Sequence, residues 1–347
     1  MNLRLSLILA ISLTFTGIFC WEMYWRSKPD LYRAVIEDDR NLWAEHRKKV
    51  EMATSDDIVI LGASRTGFNF NTHVWEKTQG RKPINLAADG KPPRPFLKDI
   101  VYNTNFNGTL IIGITPLMWF SDPNDSWANG AKQWVDYYYN RTNAQKLGYI
   151  LSKPLERNLV FLTSSELEFY NDLDLKSLIG RIYIPGRGND EPFGLYNFSY
   201  HDEDRNLIML PPMRSDPAFA KRITDAWNKF LPYLPEYETV ENDIPNIIND
   251  YIRIINDFKA RGGKVIFIRH KSEEPWNKAA MRLLPKEKVW DKFAAVIDCP
   301  TYHFKDYEFM SKYTLPDWSH MYGDDAKLYT KDMVEKLIAD GHLKDFN

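Results

Sequence analysis

Four short apolar runs punctuate the chain, each ending at a small or polar residue. They are Ile58–Leu61 within "DDIVILGAS", "PINLAAD" from Pro83 to Asp89, "GTLIIGIT" from Gly108 to Thr115, and "GGKVIFIRH" from Gly262 to His270. A strand with one wet face alternates apolar and polar residues. These runs do not, so both faces of the sheet they build must be covered. Helical patterns lie between them, the clearest at Ile244–Ala260. The predicted fold is therefore α/β, a doubly wound, flavodoxin-like parallel sheet in three layers. A weaker fifth strand is expected near Ala294–Ile297 or Thr301–Phe304, and a last helix over about Asp324–Ala339. In such folds ligands bind outside the carboxyl ends of the strands, and Ser64, Gly90, Thr115 and His270 all fall at or just past such ends.

The amino-terminal segment obeys a different rule. Leu5–Trp21, "LSLILAISLTFTGIFCW", carries no charge and is preceded by Arg4. As a helix it would cross most of a bilayer's hydrocarbon core. Trp21, Tyr24 and Trp25 then form an interfacial aromatic belt, with Arg26 and Lys28 behind them. No small-x-small cleavage site follows, and bulky Phe19 before Cys20 disfavours lipoprotein processing. An uncleaved single-pass anchor is expected over residues 1–29. Arg4 and the amino terminus balance Arg26 and Lys28, so charge alone leaves the orientation open. Asp30–Met52, charged and periodic, reads as a helix entering the domain. The α/β domain is expected in two parts, 30–119 and 244–347. Between them, 120–243 is rich in Tyr, Trp, Asn, Asp and Pro and reads as a helical insertion or lid, with helices near Asn143–Leu162 and Asp216–Leu231.

Composition removes several classes. Forty-five Lys and Arg against 47 Asp and Glu give a net charge of −2, and no basic stripe suggests a nucleic-acid partner. Two cysteines, Cys20 and Cys299, supply neither a disulfide framework nor a thiolate metal site. No His, Cys and carboxylate spacing suits a metal, and "GASRTG" is neither a phosphate loop nor a dinucleotide fingerprint, so no cofactor is expected. Eleven Trp, 19 Tyr and 19 Phe suit core packing first and sugar stacking second.

The chemistry concentrates in two places. "ILGASRTGFNFN" puts Ser64 on an elbow after the first strand, and "LPDWSHMYG" puts Asp317 three residues before His320. A serine becomes a nucleophile only beside a base that a third group orients. In a helical turn, residues at i and i+3 share a face, so Asp317 would hold one imidazole nitrogen and leave the other free.

Together "GASRTGFNFN", "NLAADG" and "DWSH" make the chain resemble the SGNH/GDSL hydrolase superfamily. Its layout is similar to the membrane-anchored envelope members, such as the D-alanyl transfer protein of teichoic acid modification and the alginate acetylation proteins. The resemblance implies Ser64 as nucleophile, His320 as base and Asp317 as its orienter, with the N–H groups of Ser64 and Gly90 in an oxyanion hole. It also implies a bacterial inner-membrane protein with an extracytoplasmic domain. That domain would act on an acylated glycan or lipid-linked substrate, with envelope-complex proteins as partners. Two positions depart from the superfamily. Ala63 stands where its first block has Asp, and Thr115 stands where its third block supplies an asparagine to the oxyanion hole. Losing such a donor costs on the order of 3 kcal/mol in well-studied hydrolases. Arg65 and Arg269 are the substitutes expected from sequence. A second reading keeps the fold without the activity, as a scaffold of an envelope polysaccharide complex.

Overall fold

A computed structural model describes residues 3–119, 126–163, 169–170, 182, 184–185, 195–234 and 236–347. The chain begins with α1 (Leu3–Arg26), 24 residues long and apolar enough to cross a membrane or to act as a signal sequence. Then follow α2 (Arg40–Lys49), β1 (Ile58–Leu61), α3 (Ser64–Asn69), α4 (Thr72–Gln79), β2 (Ile84–Asn85), α5 (Pro93–Asn103) and β3 (Thr109–Ile114). The stretch up to the next sheet strand holds α6 (Pro116–Trp119), α7 (Ser126–Asn140) and α8 (Asn143–Glu156). It also holds the two-residue bridge β4 (Phe169–Tyr170) with β5 (Leu195–Tyr196), the hairpin β6 (Ser199–His201) and β7 (Leu207–Met209), and α9 (Pro217–Phe230). The α/β pattern resumes with α10 (Ile244–Ala260), β8 (Lys264–Arg269), α11 (Trp276–Leu283), β9 (Thr301–His303) and α12 (Gly323–Ala339).

Five strands make one sheet in the order β2-β1-β3-β8-β9, every pair parallel. This is the flavodoxin-like order, in which the chain starts mid-sheet and winds both ways, so the crevice opens where β1 meets β3. Alternate residues of each strand feed opposite layers, as the pleat requires. Val59, Leu61, Leu110, Ile112 and Phe267 pack with Phe96 and Ile100 of α5 and Ile254 and Phe258 of α10. Ile58, Ile60, Ile111, Ile266 and Ile268 pack on the other side with Tyr329, Met333 and Leu337 of α12. Fully burying one such side chain is worth roughly 1.5–3 kcal/mol, so these strands are held from both faces.

Several local expectations change. Of Asp30–Met52 only Arg40–Lys49 forms an α-helix. Asp39 starts it as the N-cap, its Oδ1 accepting the N–H groups of Asn41 and Leu42 at 2.8 and 3.1 Å. The residues before it are drawn out instead by tertiary contacts: Asp38 pairs with Arg205 at 2.5 Å, and Ile36 is buried. Of the two candidates for the fifth strand, Thr301–His303 is the strand, and Asp291–Val296 is a short helix. Asn143–Leu162 splits into α8 and a 3-10 turn over Val160–Leu162. "PINLAAD" is regular only at Ile84–Asn85, yet Leu86 and Ala88 still donate to the carbonyls of Ile60 and Gly62 at 2.9 and 3.0 Å. That pairing carries the chain alongside β1 to the turn at Gly90.

Candidate active site

Only Gly62 and Ala63 separate the end of β1 from the start of α3, so the first helical residue, Ser64, sits at the sheet's carboxyl edge. The elbow is tight because Thr66 drops between β1 and β3. A Cβ built on Gly62 or on Gly113 would overlap the Thr66 side chain, and at Gly113 it would also lie 2.9 Å from His270 Nε2. Only residues without a side chain let α3 sit this low. Ser64 remains partly exposed while its neighbours Ala63, Arg65 and Thr66 are buried.

Against Ser64 stands the loop before α12. His320 Nε2 lies 2.9 Å from Ser64 Oγ, and His320 Nδ1 lies 2.6 Å from Asp317 Oδ2. A carboxylate can only accept, so Nδ1 carries the proton, leaving the Nε2 lone pair to the serine O–H. Asp317 and His320 do not share a helical turn, as their spacing suggested. The loop instead wraps the carboxylate: Asp317 Oδ1 accepts the N–H groups of Ser319 and His320 at 3.1 and 2.8 Å. Trp318, between them, adopts the left-handed region at φ 67°, uncommon for a bulky residue. Its carbonyl is held by the N–H of Glu273 at 2.8 Å.

Asp317 is fully buried, which by itself would push its carboxyl up. The positive charge available to His320 and the hydrogen bonds from His320 and Ser319 outweigh burial and hold it below the ordinary carboxylate range. A fourth donor comes from far away in sequence: Trp227 Nε1, on α9, reaches Asp317 Oδ2 at 3.2 Å. The imidazole is packed among aromatic rings, with the Phe68 centroid at 4.4 Å and Phe198 and Trp227 farther out at 5.9 and 6.3 Å. None of these aromatic contacts was read from the sequence. Only the richness of 120–243 in Tyr and Trp hinted at Trp227.

The remaining expected residues lie around this chain of three in different ways. Gly90 follows β2 with φ 61°, the left-handed conformation that favours glycine. Among the described residues, no intramolecular acceptor takes the N–H of Ser64 or of Gly90. Thr115 follows β3, its buried hydroxyl without a hydrogen-bond partner among the described residues. Arg65 is entirely buried; its Nε donates to Ser319 Oγ at 2.9 Å, and its guanidinium lies 5.5 Å from the Trp276 ring centre. Burial pulls its pKa down, and the charge of Asp317 opposes that. Arg269, at the end of β8, is also buried, with Nη1 donating to the His270 carbonyl and Nη2 unpartnered. Burial, and then the charge of Arg65, push it far below the ordinary arginine value. Arg269 lines a small gap together with Trp119, Trp290 and His303. Among the described residues no His, Cys, Asp and Glu grouping could hold a metal ion.

No protein-family model matches the sequence. Curated proteins give no match either. Among solved structures, the fold is similar to that of a candidate acylhydrolase from Bacteroides fragilis. The identity is 11% and the TM-score 0.36, over 88% of this chain and 100% of that one. That likeness is too loose to carry an argument about the site.

Proposed function

We propose that this protein is a membrane-anchored, SGNH-type serine esterase or O-acyltransferase, and the observation that carries the reading is the unbroken Ser64–His320–Asp317 hydrogen-bond chain. Ser64 Oγ attacks the carbonyl carbon of an acyl ester while His320 Nε2 takes the hydroxyl proton. Asp317 stabilises the resulting imidazolium without itself becoming protonated. The carbonyl oxygen becomes an oxyanion held by the N–H groups of Ser64 and Gly90, which have no competing acceptor among the described residues. His320 returns the proton to the departing alkoxide, leaving an acyl-enzyme. Water, or a sugar hydroxyl, then attacks that ester under the same base.

The buried arginines support this arrangement indirectly. Arg65 positions the Asp-x-x-His loop through Ser319, and its charge near Asp317 favours the carboxylate form. The proposed setting is the outer face of a bacterial inner membrane, with α1 as the single span and an acylated envelope glycan or lipid-linked ester as substrate. The exposed apolar side chains of α1, such as Leu7 at 62% and Leu13 at 72%, support an anchor.

A fluorophosphonate probe tests the chemistry. The full chain should be labelled, Ser64→Ala should not, and His320→Ala should react at least a hundredfold more slowly. Absence of labelling in a folded wild type would instead favour the non-catalytic scaffold.

A further inference from the structure

α8 divides sharply into two faces. One is tied to the body of the protein: Tyr149 is buried beside Ile36 and Leu42, and Lys153 Nζ pairs with Glu45 at 2.7 Å. The other carries Leu147, Ile150, Leu151 and Leu155, which are 53–62% exposed. Three of them recur at four-residue spacing and Ile150 flanks them, so they form one stripe on a single helix face. Contiguous exposed leucines and isoleucine on a well-capped helix are not ordinary surface scatter. The Thr142–Gln145 capping box fixes the start of that helix.

The position of this stripe identifies its occupant. The chain leaving α8 is clamped to the last turns of α1. Glu22 Oε1 and Oε2 accept the N–H groups of Val160 and Phe161 at 3.0 and 3.1 Å, and Arg26 donates to the Asn158 carbonyl. Trp25 and Val160 are buried against each other, with Trp21, Tyr32 and Phe161 packed around them. The carboxyl end of α8 is therefore tied to the aromatic end of α1. Trp21 and Tyr24 belong at the level of lipid headgroups. A helix clamped there, with one apolar face and Lys146 and Arg157 near its ends, has the composition of one lying in the interface.

We propose that the Leu147–Ile150–Leu151–Leu155 face of α8 inserts shallowly into the bilayer from which α1 emerges. The domain then holds the membrane at two places. The clamp at Glu22 and Trp25 ties the domain to the end of the span; the second contact fixes which side of the domain faces the lipid. This inference rests on α1 being a membrane span.

Depth-resolved quenching tests both parts separately. In a full-length Cys20→Ser/Cys299→Ser background, single cysteines at Ile11, Leu151 and Tyr233 carry an environment-sensitive fluorophore. The protein is then reconstituted into phosphatidylethanolamine/phosphatidylglycerol vesicles. The Ile11 label should be quenched by doxyl groups deep in the acyl chains. The Leu151 label should respond to doxyl groups near the headgroup and be shielded at least threefold from aqueous iodide relative to Tyr233, which is 81% exposed. If Leu151 is as iodide-accessible as Tyr233 while Ile11 is lipid-quenched, the anchor stands and this proposal is overturned. If Leu151 is shielded from both quenchers, another protein surface covers α8 and the proposal is equally overturned. If Ile11 is not quenched by lipid, the anchor reading fails and the proposal fails with it.

Discussion

Asp317 accepts four hydrogen bonds, from His320 Nδ1, Trp227 Nε1 and the backbone of Ser319 and His320, so each of its lone-pair directions has been assigned. The donors hold it charged and in place, and through it they hold the imidazole. Trp227→Phe keeps most of the ring and removes one donor. The expected cost is about 1 kcal/mol, a roughly fivefold fall in fluorophosphonate labelling rate with the melting temperature little changed. A rate equal to wild type would mean the indole N–H contributes nothing to the base. Ser319→Ala is a sharper probe of the loop. Arg65 would lose its one hydrogen-bond acceptor and leave a buried donor unsatisfied, which costs about 1–3 kcal/mol in urea denaturation. Asp317 and His320 could be singled out in sequence because they are near neighbours. Trp227 could not: 90 residues separate it from Asp317, and nothing in a local pattern ties an indole to a distant carboxylate.

The elbow depends on how closely α3 approaches the sheet. Thr66 occupies the space that side chains at Gly62 and Gly113 would fill. Gly113→Ala should therefore lift α3 and draw Ser64 Oγ away from His320, at an overpacking cost of about 1–3 kcal/mol. Labelling should fall more than stability does. Adding Thr66→Ala should recover part of both, since it removes the atom in closest conflict; no recovery in the double variant would place the conflict at His270 instead. At this scale the chain was largely legible. Continuous apolar runs marked β1, β3 and β8, and the 3.6-residue period marked α10 from Ile244 to Ala260. Asp30–Met52 misled because its pattern reflects contact with the Arg205 hairpin as much as helical periodicity.

Across the molecule, three buried histidines make stability depend on pH. Burial pulls His46 and His270 down to about 3 and His303 to about 2, from an ordinary value near 6.5. The folded value is the lower one, so as pH falls through about 6.5 the unfolded chain takes up protons first. Stability is full above that pH and declines toward pH 3, by up to about 1.4 kcal/mol per histidine per unit. The thermal midpoint should thus drop measurably between pH 6.5 and 4.5, and His270→Gln should flatten that slope by roughly a third. A midpoint constant over the interval would show that these imidazoles are not neutral through burial.

Residue pattern alone determined the layered α/β architecture, the apolar amino-terminal helix and the pairing of Asp317 with His320. Each is written in spacing: unbroken apolar runs need cover on both faces, an uncharged stretch of membrane length has few soluble uses, and three residues of separation bring two side chains together wherever the chain turns. Tertiary structure decided the rest. It turned Asp-x-x-His into a loop wound around its own carboxylate, brought Trp227 to that carboxylate, and buried Arg65 and Arg269. It also tied the chain leaving α8 to the end of α1. Those outcomes follow from contacts between elements far apart in the chain, whose energies depend on packing and on the burial of charge. Local periodicity carries no record of either.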